Sequence, residues 1–150
     1  RETLAPLIDA LKQVAAKIPL LFPLHPRTRK NLETHGLLDG FLAAPGVHVS
    51  EPINYIRFMG LVRDAGLVIT DSGGIQEETT YLDIPCITLR DNTERPITVT
   101  EGTNRLAKIS DLASYVDEIM AGTWPSGVRP DLWDGQTAGR IVLDLQRRLG

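Results

Sequence analysis

The run VITDSGGIQEE, residues 68–78, brings a serine, two glycines and three carboxylates together. Two chemistries fit these residue types. A serine beside an aspartate and glycines could be an acyl-transfer nucleophile, given a histidine base and a carboxylate to orient it. A glycine pair between an apolar strand and a helix could instead offer the helix's unsatisfied first-turn N–H groups to an anion. The elements around the run decide between them.

Asp-Ser-Gly-Gly also surrounds the nucleophile of trypsin-like proteases, which are all-β double barrels with several disulfides. Here helices alternate with strands, Cys86 is the only cysteine, and nothing around His25, His35 or His48 matches that histidine segment. A motif counts only in its structural context, and this context is wrong for a protease. Strand–turn–helix is the context that fits. Ser72 can cap the helix or give its hydroxyl to a phosphate oxygen, and the glycines allow a close backbone approach. The same residues also describe an ordinary serine cap with a tight turn.

At about 100° per residue, Ile75, Thr79 and Leu82 share one helix face and Glu78 lies beside it. Glu77 falls on the opposite side, where a solvated carboxylate is expected. Glu78, one turn from the anion site, is placed to accept two hydrogen bonds from a ribose diol. That pairing points to a nucleotide.

The elements that must position these groups follow a βα repeat, with apolar periodicity switching type at intervals of roughly twenty residues. The spacing predicts strands over 18–25, 46–50, 66–70, 85–90 and 104–109. Helices are predicted over an amphipathic opening segment, 28–37, 54–65, 74–82, 110–122 and 136–149. DNTERP, from Asp91, reads as a polar loop followed by a turn, and 123–135 reads as loop. Strands apolar on both faces belong to a parallel sheet covered by helices, so the fold class is α/β and Rossmann-like. In such sheets ligands bind at the carboxyl edge of the strands.

With 150 residues the chain is one domain's worth. A net charge of −3 without basic runs argues against nucleic acid and anionic membranes as partners. No apolar run approaches the ~20 residues of a membrane helix. A single cysteine excludes a disulfide framework and a thiol-based metal site and points to the cytosol. The opening helix has no preceding strand, so the chain reads as a piece of a longer protein. Cys86 reads as packing, His35 and His48 carry no assigned role, and Trp124 and Trp133 read as docking the last helix. That helix carries an apolar stripe at Ala138, Ile141, Val142 and Leu145.

HPR, DSGGIQEE, RDNTERP and GTNRL, in this order and spacing, resemble the C-terminal half of the non-hydrolysing UDP-N-acetylglucosamine 2-epimerases. The likeness extends to WDGQTAGRIV and so covers essentially the whole chain. It implies one of two Rossmann-like domains of a glycosyltransferase-B type fold, with the opening strand and the N-terminal domain absent. It implies reversible inversion at C2 of UDP-GlcNAc to give UDP-ManNAc, through elimination and re-addition of UDP. No metal or nicotinamide is implied, and the full-length protein is expected to be a homodimer supplying polysaccharide precursors.

By the same resemblance, Ser72, Gly73 and Gly74 hold the diphosphate and Glu78 the ribose. Phe58 lies near the uracil, and Arg95 binds the diphosphate or sugar. His25 is the histidine at the cleft, a group that could protonate the departing diphosphate. The acids credited with proton transfer at C2 lie in the other domain. Taken alone, Arg95 could equally be in a surface ion pair with Glu94 or Asp91, and His25 a structural hydrogen-bonder. Arg90 and Arg27 are weaker candidates. A glycosyltransferase of the same architecture, a hydrolysing epimerase and a nucleotide-binding module without chemistry are the alternatives.

Overall fold

The computed structural model describes residues 4–149. Its elements alternate as the periodicity predicts: α1 (Leu4–Ala15), β1 (Leu20–Pro23), α2 (Pro26–Thr34), α3 (Leu38–Leu42), β2 (Val47–Ser50), α4 (Tyr55–Arg63), β3 (Val68–Thr70), α5 (Gly73–Leu82), β4 (Cys86–Thr88), α6 (Pro96–Thr100), β5 (Asn104–Leu106), a 3-10 turn (Ile109–Asp111), α7 (Leu112–Met120) and α8 (Thr137–Leu149). Two short helices, α3 and α6, were not legible. Each has five residues, too few to show a helical period. Pro96 starts α6, where its missing N–H is no loss.

Every strand pair is parallel, yet the strands form two sheets where one was expected. β1 pairs with β2, Leu20 opposite Val47, while β4 lies between β3 and β5. Among the described residues β1 and β3 each keep one edge without a strand partner. Their lead-in segments meet, since a Cβ on Gly66 would stand 3.8 Å from Ile18 Cδ1.

One apolar core nevertheless underlies both sheets. Ile8, Leu11 and Val14 of α1 join Leu24, Leu32, Phe41, Ile87, Leu112 and Val116 in a single cluster. The strand residues Phe22, Val49 and Ile69 pack against it. Lys17 ties the end of α1 to Asp117 of α7 at 2.6 Å. Gly46, at φ 77°, is obligatory before β2, because a Cβ there would overlap the carbonyl of Ala15. Gly122 ends α7 in the left-handed region, as a helix stop should.

α8 is anchored at its start, where Arg140 reaches Asp134 and the carbonyl of Leu132. It buries no residue; Ile141, Val142 and Leu145 stay about half exposed. Among the described residues no helix is long and apolar enough to cross a membrane.

Candidate functional site

The mouth of α5 is built where β3 ends. Ser72 is its N-cap residue, with extended backbone, but its hydroxyl makes no capping bond. The Ser72 N–H instead donates to Thr70 Oγ1 at 3.0 Å, which fixes the turn. Among the described residues no acceptor takes the N–H groups of Gly73, Gly74 or Ile75. An unspent hydroxyl and three free N–H groups at the positive end of a helix are the groups with which an anion can be held.

The glycines fit close approach and not the tight turn. Neither Gly73 nor Gly74 has a positive φ, so no tight turn depends on them. A Cβ on Gly73 would reach Glu94 Oε2 at 3.8 Å and Arg95 Cγ at 3.9 Å, filling the space between helix and loop. Their value is a bare mouth.

The loop after β4 folds over that mouth. Arg95 Nε lies 2.9 Å from Glu77 Oε1, so its carboxylate partner is neither Glu94 nor Asp91, although Nη1 donates to the Glu94 carbonyl at 3.3 Å. This corrects the placing of Glu77 in solvent. Gly73 and Glu77 are one turn apart on the face that the loop covers, so the carboxylate meets the guanidinium. The nitrogen is buried and lies off the hydrogen-bonding line, which makes the pair a charge contact. Glu94 is gripped instead by both terminal nitrogens of Arg90, each at 3.0 Å, and this fork holds its carboxyl below the usual range.

Glu78 is half-buried. Its Oε1 accepts a hydrogen bond from Tyr55 Oη at 2.8 Å, while Oε2 is buried without a partner. The hydrogen bond to this carboxylate pushes the Tyr55 hydroxyl above its ordinary pKa. A carboxylate oxygen waiting for a donor is what a ribose hydroxyl would satisfy. Beside it opens a cavity of about 400 Å³ lined by Tyr55, Met59, Glu78, Tyr81, Leu82 and Trp133. Its size suits a small organic ligand.

Phe58 sits half-buried on α4, but the α4 wall of this cavity is Tyr55 and Met59. Sequence reasoning missed Tyr55, Tyr81 and Trp133. The signal for Tyr55 was its position one turn before Met59, the spacing of two residues on one helix face. Trp133 was read as a docking residue, and the structure puts it at the cavity instead. Among the described residues Trp124 does not meet the last helix either: its indole N–H donates to the Thr103 carbonyl at 2.9 Å, Arg105 lies 4.2 Å over its ring, and its edge meets Tyr115 of α7.

His25 belongs to the other sheet. It is exposed and caps α2, its Nδ1 accepting from the Arg27 N–H at 3.2 Å. That bond puts the proton of the neutral ring on Nε2, leaving Nε2–H free to donate outward. Among the described residues no hydrogen bond or ion pair joins His25 to the α5 cluster. Cys86 is fully buried, and burial pushes its thiol pKa up, as fits a packing residue. No group of three or more His, Cys, Asp or Glu side chains among the described residues is placed to hold a metal ion.

A family model described as UDP-N-acetylglucosamine 2-epimerase matches residues 1–146. The chain is 43% identical over 108 residues to a UDP-N-acetylglucosamine 2-epimerase of Methanococcus maripaludis, covering 71% of this chain and 30% of that protein. It is 40% identical over 105 residues to the UDP-2,3-diacetamido-2,3-dideoxy-D-glucuronate 2-epimerase of Pseudomonas aeruginosa, covering 69% and 28%. The Methanocaldococcus jannaschii UDP-GlcNAc 2-epimerase, solved in complex with UDP-GlcNAc and UDP, superposes with a TM-score of 0.85 at 35% identity. That likeness covers 97% of this chain and 41% of the solved one, so the chain spans less than half the length of these relatives. The match and the shared parallel α/β frame agree along almost the whole sequence, and the chain belongs to the UDP-N-acetylglucosamine 2-epimerase family.

Proposed function

We propose that this chain supplies the UDP-binding half of an enzyme that epimerises UDP-GlcNAc at C2. The observation that carries the reading is the pairing of two sets of unpartnered polar groups on one helix. The first-turn N–H groups of α5 lack acceptors, and Glu78 Oε2, one turn on, lacks a donor. A diphosphate fills the first and a ribose hydroxyl the second. The aromatic cavity beside Glu78 then takes the uracil end, with Tyr55 and Met59 as its α4 wall and Phe58 on the same helix.

The chemistry follows from that placement. Elimination of UDP across C1–C2 removes the C2 proton, breaks the C1–O bond and leaves the electron pair on a diphosphate oxygen. Preorganised N–H groups, the Ser72 hydroxyl and the Arg95 guanidinium stabilise the developing charge. His25, with its proton on Nε2, donates to the departing diphosphate. The base at C2 belongs to the rest of the full-length protein. Re-addition after proton return to the opposite face gives UDP-ManNAc.

The same proposal includes one further parallel strand between the open edges of β1 and β3, contributed by the full-length protein. That protein is read as a cytosolic homodimer that needs no metal or nicotinamide. A strand there would join the two sheets over their common core.

Incubating the full-length protein with UDP-GlcNAc in deuterated water tests the reaction. Deuterium at C2 of both nucleotide sugars, with UDP-ManNAc as product, is expected. Free ManNAc or a glycosylated acceptor would move the protein to a hydrolysing or transferring relative. This chain's site contacts mainly the nucleotide, so the sugar is its least constrained part. Turnover of the diacetamido-glucuronate nucleotide named for the P. aeruginosa relative, in preference to UDP-GlcNAc, would replace the substrate and keep the mechanism.

A further inference from the structure

Below the α5 mouth lies a ring of polar side chains that no step of the reaction uses. Gln76 is fully buried, and so are Thr98 and, within one per cent, Asn104. The Arg95 N–H donates to Thr93 Oγ1 at 3.0 Å, and that hydroxyl donates to Gln76 Oε1 at 2.6 Å. The Asn104 amide donates to the same Gln76 oxygen at 3.2 Å and to Thr98 Oγ1 at 3.1 Å. The Thr98 hydroxyl then donates to the Arg95 carbonyl at 2.8 Å. The circuit begins and ends on the backbone of one residue.

Its directions admit no reversal. A peptide N–H can only donate, so a Thr93 lone pair receives it; the Asn104 amide turns the Gln76 oxygen into the ring, and the Thr93 proton goes to that oxygen. A peptide carbonyl can only accept, so the Thr98 proton must go to Arg95 and its lone pair must receive the Asn104 N–H. Asn104 Oδ1 is thereby turned towards Thr88, whose hydroxyl donates to it at 2.6 Å. Gln76 Nε2 stays buried and unpaired, so Gln76 is oriented for its oxygen alone.

Simple stability is a poor account of this arrangement. A buried orphan amide costs free energy that an apolar side chain of equal volume would not. The ring instead fixes where Arg95 leaves the chain, with its Cγ against the bare face of Gly73. We propose that Gln76, Thr93, Thr98 and Asn104 are positioning residues that hold Arg95 over the α5 mouth for the diphosphate. This rests on Arg95 as a diphosphate ligand, and it adds the device that preorganises it.

The test is a double-mutant cycle on the full-length enzyme, reading UDP affinity by calorimetry and melting temperature in parallel. Thr93→Val removes the hydroxyl at constant shape and should weaken UDP by about tenfold, the equivalent of one hydrogen bond. Thr93→Ser should stay within about twofold of the parent. In an Arg95→Ala background, Thr93→Val should change UDP affinity by less than about twofold, because its effect runs through Arg95. Thr93→Ala, which cannot overpack the site, must give the same pattern.

Equal weakening in both backgrounds, or unaltered binding in Thr93→Val, overturns the positioning role. Unaltered UDP binding in Arg95→Ala alone overturns the diphosphate assignment itself. That failure differs from one in which Arg95→Ala weakens UDP and Thr93→Val does not.

Discussion

The interior of the molecule changes character near residue 70. From Ile8 to Val62 every buried side chain among the described residues is apolar. From Gln76 to Asn104 seven buried side chains are polar: Gln76, Thr79, Thr80, Thr88, Thr98, Thr103 and Asn104. Both regions are parallel βα units, so topology does not require the difference. Dispersion is non-directional and lets side chains slide among near-equivalent packings, whereas hydrogen bonds fix orientation. The first region supplies cohesion, and the second sets where particular atoms stand.

The largest effect expected from this contrast is Phe41→Ala. Phe41 is fully buried with its ring edge-on to Phe22 at 5.6 Å, so its loss should cost about 3–5 kcal/mol in urea unfolding. UDP affinity of the folded protein should stay unchanged. Thr88→Val comes next, at about 1–3 kcal/mol, because Asn104 Oδ1 is left buried without its donor. Here UDP binding should weaken too. If Phe41→Ala disturbs UDP as much as Thr88→Val does, the division of labour is wrong.

Tyr55→Phe sharpens the comparison at the exposed rim. Tyr55 is 61% exposed, so stability should move by less than about 0.5 kcal/mol. Glu78 loses the donor that orients it, and UDP should bind several-fold more weakly, with a smaller loss for 2′-deoxy-UDP. A loss of equal size for both ligands would detach Tyr55 from ribose recognition.

The smallest effect lies outside both regions. Asp134 is held at about 2, first by Arg140 and then by the Gln136 N–H. Its folded value is below its ordinary 3.8, so its stabilising effect is complete above 3.8 and disappears as pH falls through about 2. The α8 helix signal in circular dichroism should decline slightly over that window, and Asp134→Asn should remove the dependence.

The contrast also explains what could be read from the sequence. The alternation of elements was legible because short apolar runs give way to a period near 3.6 along the chain. The split between sheets was not, since an apolar strand reads the same whichever neighbour it has. Ser72 and Glu78 stood out because strand, turn and helix are local. The Glu77–Arg95 contact was hidden because it depends on how a loop eighteen residues away folds back. The helical wheel likewise grouped Ile75, Thr79 and Leu82 on one face, whereas Gln76, Thr79 and Thr80 are the buried residues of α5. A buried glutamine is invisible to patterning when the partners that make its burial tolerable lie 17 and 28 residues on.

Cys86 turns these ideas into a measurement that needs no engineering. The lone thiol is sealed within β4, with a strand hydrogen-bonded on either side. A thiol reagent can reach it only during openings of the three-stranded sheet, so its labelling rate clocks the fluctuations of the polar half. UDP should slow that clock if the nucleotide binds the closed form, which turns an otherwise silent residue into a sensor of occupancy.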